Sequence, residues 1–154
     1  MKTLAFFFAM MVIPLLARIG ETNEECDARY GQGELTKVAG TKIYKKAGFE
    51  IECSFRDGKV VRMDFSHIEK DSAGQPIKIT SAELDALMEA NGGGDKWEKG
   101  FIGNIFRPGW ATEDGTRQAI YGVFECRFMI ILTTEAKRIS AERDAVEKAK
   151  LKGF

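Results

Sequence analysis

A single histidine, His67, is the entire imidazole content of this 154-residue chain. That excludes any metal site built on a pair of histidines, and the carboxylates are scattered rather than grouped at ligand spacing. Cys26, Cys53 and Cys126 show no C-x-x-C spacing, so a zinc knuckle and a thioredoxin-like motif are excluded too. Neither sign of charge is in excess, with 23 Lys and Arg against 23 Asp and Glu. A nucleic-acid partner needs a clustered basic surplus, so none is expected. No uncharged apolar run reaches the ~20 residues of a membrane-spanning helix. Gly92-Gly93-Gly94 follows a helical stripe instead of a strand, which makes it a helix stop and linker rather than a phosphate cradle. No cofactor and no metal are expected.

Hydrophobic residues make up 44% of the chain, enough to bury a core and too many for a disordered chain. The clearest pattern lies in Phe49 to Phe65. Ile51, Cys53 and Phe55 alternate with Glu52, Ser54 and Arg56, and Val61, Met63 and Phe65 alternate with Arg62, Asp64 and Ser66. Period-two alternation gives strands with one buried face. Asp57-Gly58 between them suits a type I′ turn, whose two central residues need positive φ. This is a β-hairpin.

The amino terminus reads as a cleaved export signal spanning residues 1–17. Lys2 supplies a positive start, Leu4 to Leu16 is apolar, and Ala17 is small, although Leu15 is larger than cleavage sites prefer. An uncleaved anchor or a buried helix is the alternative. The expected location is the periplasm or the exterior, with no stable membrane anchor after cleavage. An oxidising compartment permits one disulfide and leaves one thiol over. Cys26 and Cys53 fall on apolar faces, so their simplest role is as small buried hydrophobes, and the pairing stays open.

Two capping boxes punctuate the rest. Thr22-Asn23-Glu24-Glu25 predicts a helix from about Asn23 to Tyr30 ending at Gly31. Thr80-Ser81-Ala82-Glu83 predicts a second helix bearing Leu84, Leu87 and Met88 and ending at Asn91-Gly92. Gln32 to Gly40 reads as loop, Thr41 to Lys46 as strand and Asp71 to Lys78 as connector. Downstream, Asp114-Gly115 is a second turn, and Ala119 to Val123 and Phe128 to Thr133 are strands. The order helix, strand, hairpin thus occurs twice, in 22–75 and in 76–134, and reads as a degenerate tandem repeat. Residues 135–154 form a charged helix whose only large aliphatics are Ile139, Val146 and Leu151, too thin a stripe for a core helix. The expected fold is α+β, an antiparallel sheet of about six strands with two short helices on one face.

With its two capping boxes and two Asp-Gly turns, the segment from Thr22 to Thr134 resembles the secreted β-lactamase inhibitor proteins. It also resembles the small outer-membrane lipoproteins of the barrel-assembly machinery, but the lipid-bearing cysteine directly after the apolar run is absent. The resemblance implies a protein-binding module of the bacterial cell envelope, an inhibitor or an assembly factor, rather than a catalyst. It carries no functional residue across.

The candidate site comes from the residues themselves. Trp97 to Trp110, WEKGFIGNIFRPGW, packs large apolar side chains between Gly100, Gly103, Pro108 and Gly109. These breakers place it in an irregular loop, either folded over the sheet as local core or exposed as a patch gripping a protein partner. On the second reading Trp97, Phe101, Phe106 and Trp110 make the contact. The catalytic alternative is a small periplasmic enzyme using His67 or a free cysteine, but no motif ties either to a partner.

Overall fold

The computed structural model describes residues 18–151; the expected signal segment 1–17 lies outside them. Helix α1 spans Asn23–Tyr30. Thr22 Oγ1 accepts the Glu25 N–H at 3.3 Å while Glu25 Oε2 accepts the Thr22 N–H at 2.8 Å, closing the capping box. Strands β1 (Glu34–Leu35), β2 (Thr41–Lys46), β3 (Phe49–Arg56) and β4 (Lys59–His67) follow. Asp57 and Gly58 adopt φ of 51° and 75°, the positive values the hairpin requires. Helix α2 (Ser81–Asn91) repeats the capping box with Thr80 and Glu83. Strands β5 (Trp97–Asn104), β6 (Arg107–Thr112), β7 (Arg117–Gly122) and β8 (Arg127–Leu132) then lead into helix α3 (Thr133–Leu151).

The α+β class holds, and the sheet has eight strands rather than about six. Their order is β1-β2-β3-β4-β8-β7-β6-β5, every pairing antiparallel. Each half is therefore a helix and a four-stranded meander, and the two meanders join where Arg62–Phe65 of β4 meet Phe128–Ile131 of β8. One added strand, β1, is two residues long. The other, β5, lies in the stretch expected to be an irregular loop. That expectation is corrected: β5 and β6 form a hairpin. Asn104 Oδ1 accepts the backbone N–H groups of Phe106 and Arg107 at 2.9 and 3.0 Å, which makes the turn. Pro108, opposite Gly103 of β5, precedes Gly109, where β6 begins pairing with β7, so no β6–β7 ladder bond needs its missing N–H.

Directly opposed residues show which face is buried. Cys53, Met63, Ile130 and Ala119 form one row across β3, β4, β8 and β7; Ile51, Phe65, Phe128 and Tyr121 form the next. Both rows are buried in one core with Cys26 and Tyr30 of α1 and Leu87 and Met88 of α2. Two polar contacts seat the helices: Ile19 N–H donates to buried Asn91 at 2.9 Å, and Ile79 N–H donates to the Tyr121 hydroxyl at 3.2 Å. The opposite face carries the row Glu52, Asp64, Met129, Ile120, and neither α1 nor α2 packs on it.

Among the described residues, helix α3 is fastened at its start. Glu135, 7% exposed, takes paired hydrogen bonds from Arg56 (3.0 and 3.2 Å) and from Arg138 (2.9 and 2.6 Å). Ala141 through Lys150 are all exposed. Chiefly the Arg138 guanidinium, then Arg56, hold the Glu135 carboxyl near a pKa of about 2, against an ordinary 4.5. A depressed folded pKa stabilises fully above the unfolded value and is lost as pH falls from about 4.5 toward 2. Glu135→Gln should therefore lower the urea midpoint at pH 6, and its gap to the natural chain should narrow between pH 4.5 and 2.5. A gap that stays constant across that range would contradict the assignment.

Candidate functional site

His67 closes β4 with its ring stacked on Phe49 at 4.5 Å, and its Nε2 lies 3.4 Å from Glu83 Oε2. That carboxylate already accepts the Thr80 N–H and hydroxyl in the α2 cap. The histidine thus ties β4 to the start of α2. All three cysteines are free and buried. The Cys53 thiol is pushed well above its ordinary pKa by the adjoining Cys26 thiol and by burial, the opposite of the electropositive setting that activates a thiolate. Among the described residues, no three of His, Cys, Asp and Glu gather as a metal group.

The four aromatic candidates separate. Trp97 is partly buried against the core, and its indole N–H donates to the Met88 carbonyl at 2.7 Å. Trp110 also packs against the core, meeting Phe128 edge-on with ring centroids 6.2 Å apart. Both tryptophans are framework, because the strands they occupy turn them toward α2 and β8 rather than away on a loop. The Phe101 side chain lies outside the described residues. Among the described candidates, Phe106 alone is exposed, at 51%, while the two tryptophans are half-buried.

Phe106 has company that the sequence pattern did not reveal. Phe124, in the β7–β8 turn, is 73% exposed and stacks on it at 5.3 Å, and neighbouring Ile105 is 84% exposed. The two turns are locked together, since Val123 N–H donates to the Phe106 carbonyl at 3.1 Å and Arg107 pairs with Glu125. A stacked aromatic pair in water is an exposed apolar patch on a fixed backbone.

Beside this patch, on the face the helices leave open, is a recess of about 210 Å³ bordered by Arg62, Asp64, Arg107, Ile120, Glu125, Arg127 and Met129. Small-molecule sites usually enclose about 300–1,000 Å³, so the recess suits one side chain of a larger partner better than a free metabolite. Its charges are already matched. Buried Asp64 takes Arg62 at 2.7 and 3.0 Å and Arg127 Nε at 3.2 Å, while Arg127 also reaches Glu52 at 2.5 Å. Paired guanidiniums make a poor anion trap but a well-ordered polar rim.

No family model and no curated protein matches the chain. Among solved structures, a cysteine-rich secretory protein from Staphylococcus aureus is similar at 12% identity and a TM-score of 0.39, over 76% of this chain. The aligned part spans 45% of that protein's length. Likeness at that level carries no argument about function. The arrangement of side chains carries it instead. Among the described residues no helix is long and apolar enough to cross a membrane.

Proposed function

We propose that this chain is an exported, non-catalytic protein-binding module of the bacterial cell envelope, acting as an inhibitor or an assembly factor. The observation that carries the reading is the exposed Phe106–Phe124 stack, held by two hydrogen-bonded turns at the border of a charge-paired recess. Binding energy concentrates in rigid aromatic anchors ringed by satisfied polar groups, and that is the composition here. Folded loops presented by a sheet are also where binding residues commonly lie. The helix and four strands in each half support reading 22–75 and 76–134 as a degenerate tandem repeat, in keeping with the envelope-protein resemblance.

Export is supported by residues 1–17 and fits the anchoring of the next residues. Gly20 N–H donates to Val60 O at 2.8 Å and Ile19 is held by Asn91, so a mature chain starting at Arg18 keeps both ties. The test uses tagged mature protein immobilised against an envelope extract. The expected result is a discrete protein retained by the natural chain and lost from Phe106→Ala/Phe124→Ala, with the circular dichroism of the variant unchanged. Equal retention by both would overturn the assignment of this surface.

A further inference from the structure

Two of the three cysteines meet between α1 and the sheet. On α1, Cys26 and Tyr30 lie one turn apart and both are buried, so that stripe faces the strands. On the sheet, Lys42, Cys53 and Met63 stand directly opposite one another on β2, β3 and β4 and share the covered face. The helix is pinned on both sides of Cys53. Asp27 receives Lys42 Nζ at 3.0 Å and the Tyr44 hydroxyl at 2.8 Å from β2, and Tyr30 packs on Tyr44 at 5.4 Å. Thr22, one turn before Cys26, bridges Lys59 on β4. Cys26 therefore lies over β3 between these pins, and both sulfurs are wholly enclosed at 0% exposure. The direction of the Cys53 titration agrees, since the Cys26 thiol is the largest cause of its rise.

We propose that Cys26 and Cys53 are a disulfide-forming pair, closed by exchange with a small or protein disulfide oxidant and tying α1 to β3. Both S–H bonds are lost and one S–S bond forms, while two electrons and two protons convert the oxidant's disulfide to two thiols. A thiolate attacks the oxidant to give a mixed disulfide, which the second cysteine resolves. Neither native thiol is solvent-accessible, so exchange takes place during folding or transient opening and is slow in the closed protein. Cys126 is left over. It sits in the β7–β8 turn at a φ of 50°, with its sulfur 3.6 Å from the Val123 carbonyl and outside the core cluster of the other two.

The test is refolding the reduced, denatured full chain in a buffer of reduced and oxidised glutathione, followed by alkylation and non-reducing peptide mapping. Trypsin separates the three cysteines, because Arg18, Arg29, Lys46, Arg56, Arg117 and Arg127 flank them. The expected result is one alkylated thiol, Cys126, and the peptides 19–29 and 47–56 recovered as a joined pair. The Cys126→Ala variant should show no free thiol. Should refolding fail, incubating native protein in the same buffer near the foot of its melting transition gives the same count through transient opening. Three alkylated thiols in folded protein, or a bond that includes Cys126, would overturn the proposal.

Discussion

Phe128→Ala should cost about 3–5 kcal/mol of folding stability, a large share of the ~5–15 kcal/mol available to an ordinary domain. Phe128 is 0% exposed and lies on β8 opposite Phe65 of β4, the strand pair through which the two halves join. Its ring lies 6.3 Å from Phe65 and 6.2 Å from Trp110, so truncation leaves a void with two aromatic walls. Those walls belong to different strands hydrogen-bonded on their far sides, which limits collapse into the void. Urea denaturation should show the midpoint falling with little change in slope, and melting should drop by about 10 °C. A loss under about 1 kcal/mol would mean that the seam between the halves is not the centre of the core.

Trp110→Ala should be the next most damaging change, at about 2–4 kcal/mol, because the indole is only partly buried. It shares the Phe128 ring, so the two losses should not add. The double variant should fall short of the sum by about 0.5–1.5 kcal/mol, the usual range for an aromatic pair in contact. Calorimetry of the two single variants and the double variant gives the coupling. Near-normal melting of Trp110→Ala together with lost partner capture would return Trp110 to the binding surface, one of the two readings the sequence pattern leaves open.

The elements carried by local chemistry were legible in the sequence. Thr22 and Thr80 mark both helix starts through hydrogen bonds three residues apart in sequence that need no tertiary structure, and α1 begins and ends where its cap and Gly31 put it. The Asp57-Gly58 turn is equally local. The Asp114-Gly115 turn forms by another route. Gly115 alone takes positive φ, while Asp114 Oδ1 accepts the Thr112 hydroxyl at 2.6 Å and the Thr116 N–H at 2.9 Å. The β2–β3 turn falls where the strand at 41–46 and the next one from Phe49 leave room for it, with Ala47, a residue seldom found at positive φ, at 51° ahead of Gly48.

Strands defined by neighbours were not legible. Two-residue β1 has no period to detect, and Gly100 and Gly103 interrupt the pattern of β5, whose register shifts between Lys99 and Gly103. The same glycines and Pro108 made a hairpin look like a loop. In the sequence, Trp97 and Trp110 therefore share one apparent loop with Phe106. No pattern in the sequence points to Phe124, because its stacking on Phe106 is a contact between two turns distant in sequence and no single window contains both.

The direct test of the central claim is the affinity of the captured partner for Phe106→Ala/Phe124→Ala, measured alongside the variant's melting temperature. Each aromatic is exposed and contributes little to the core, so melting should stay within about 2 °C of the natural chain. Loss of two anchoring rings should weaken binding by about 100-fold or more. Unchanged affinity with unchanged melting would contradict the account, leaving a stacked aromatic pair that no partner uses.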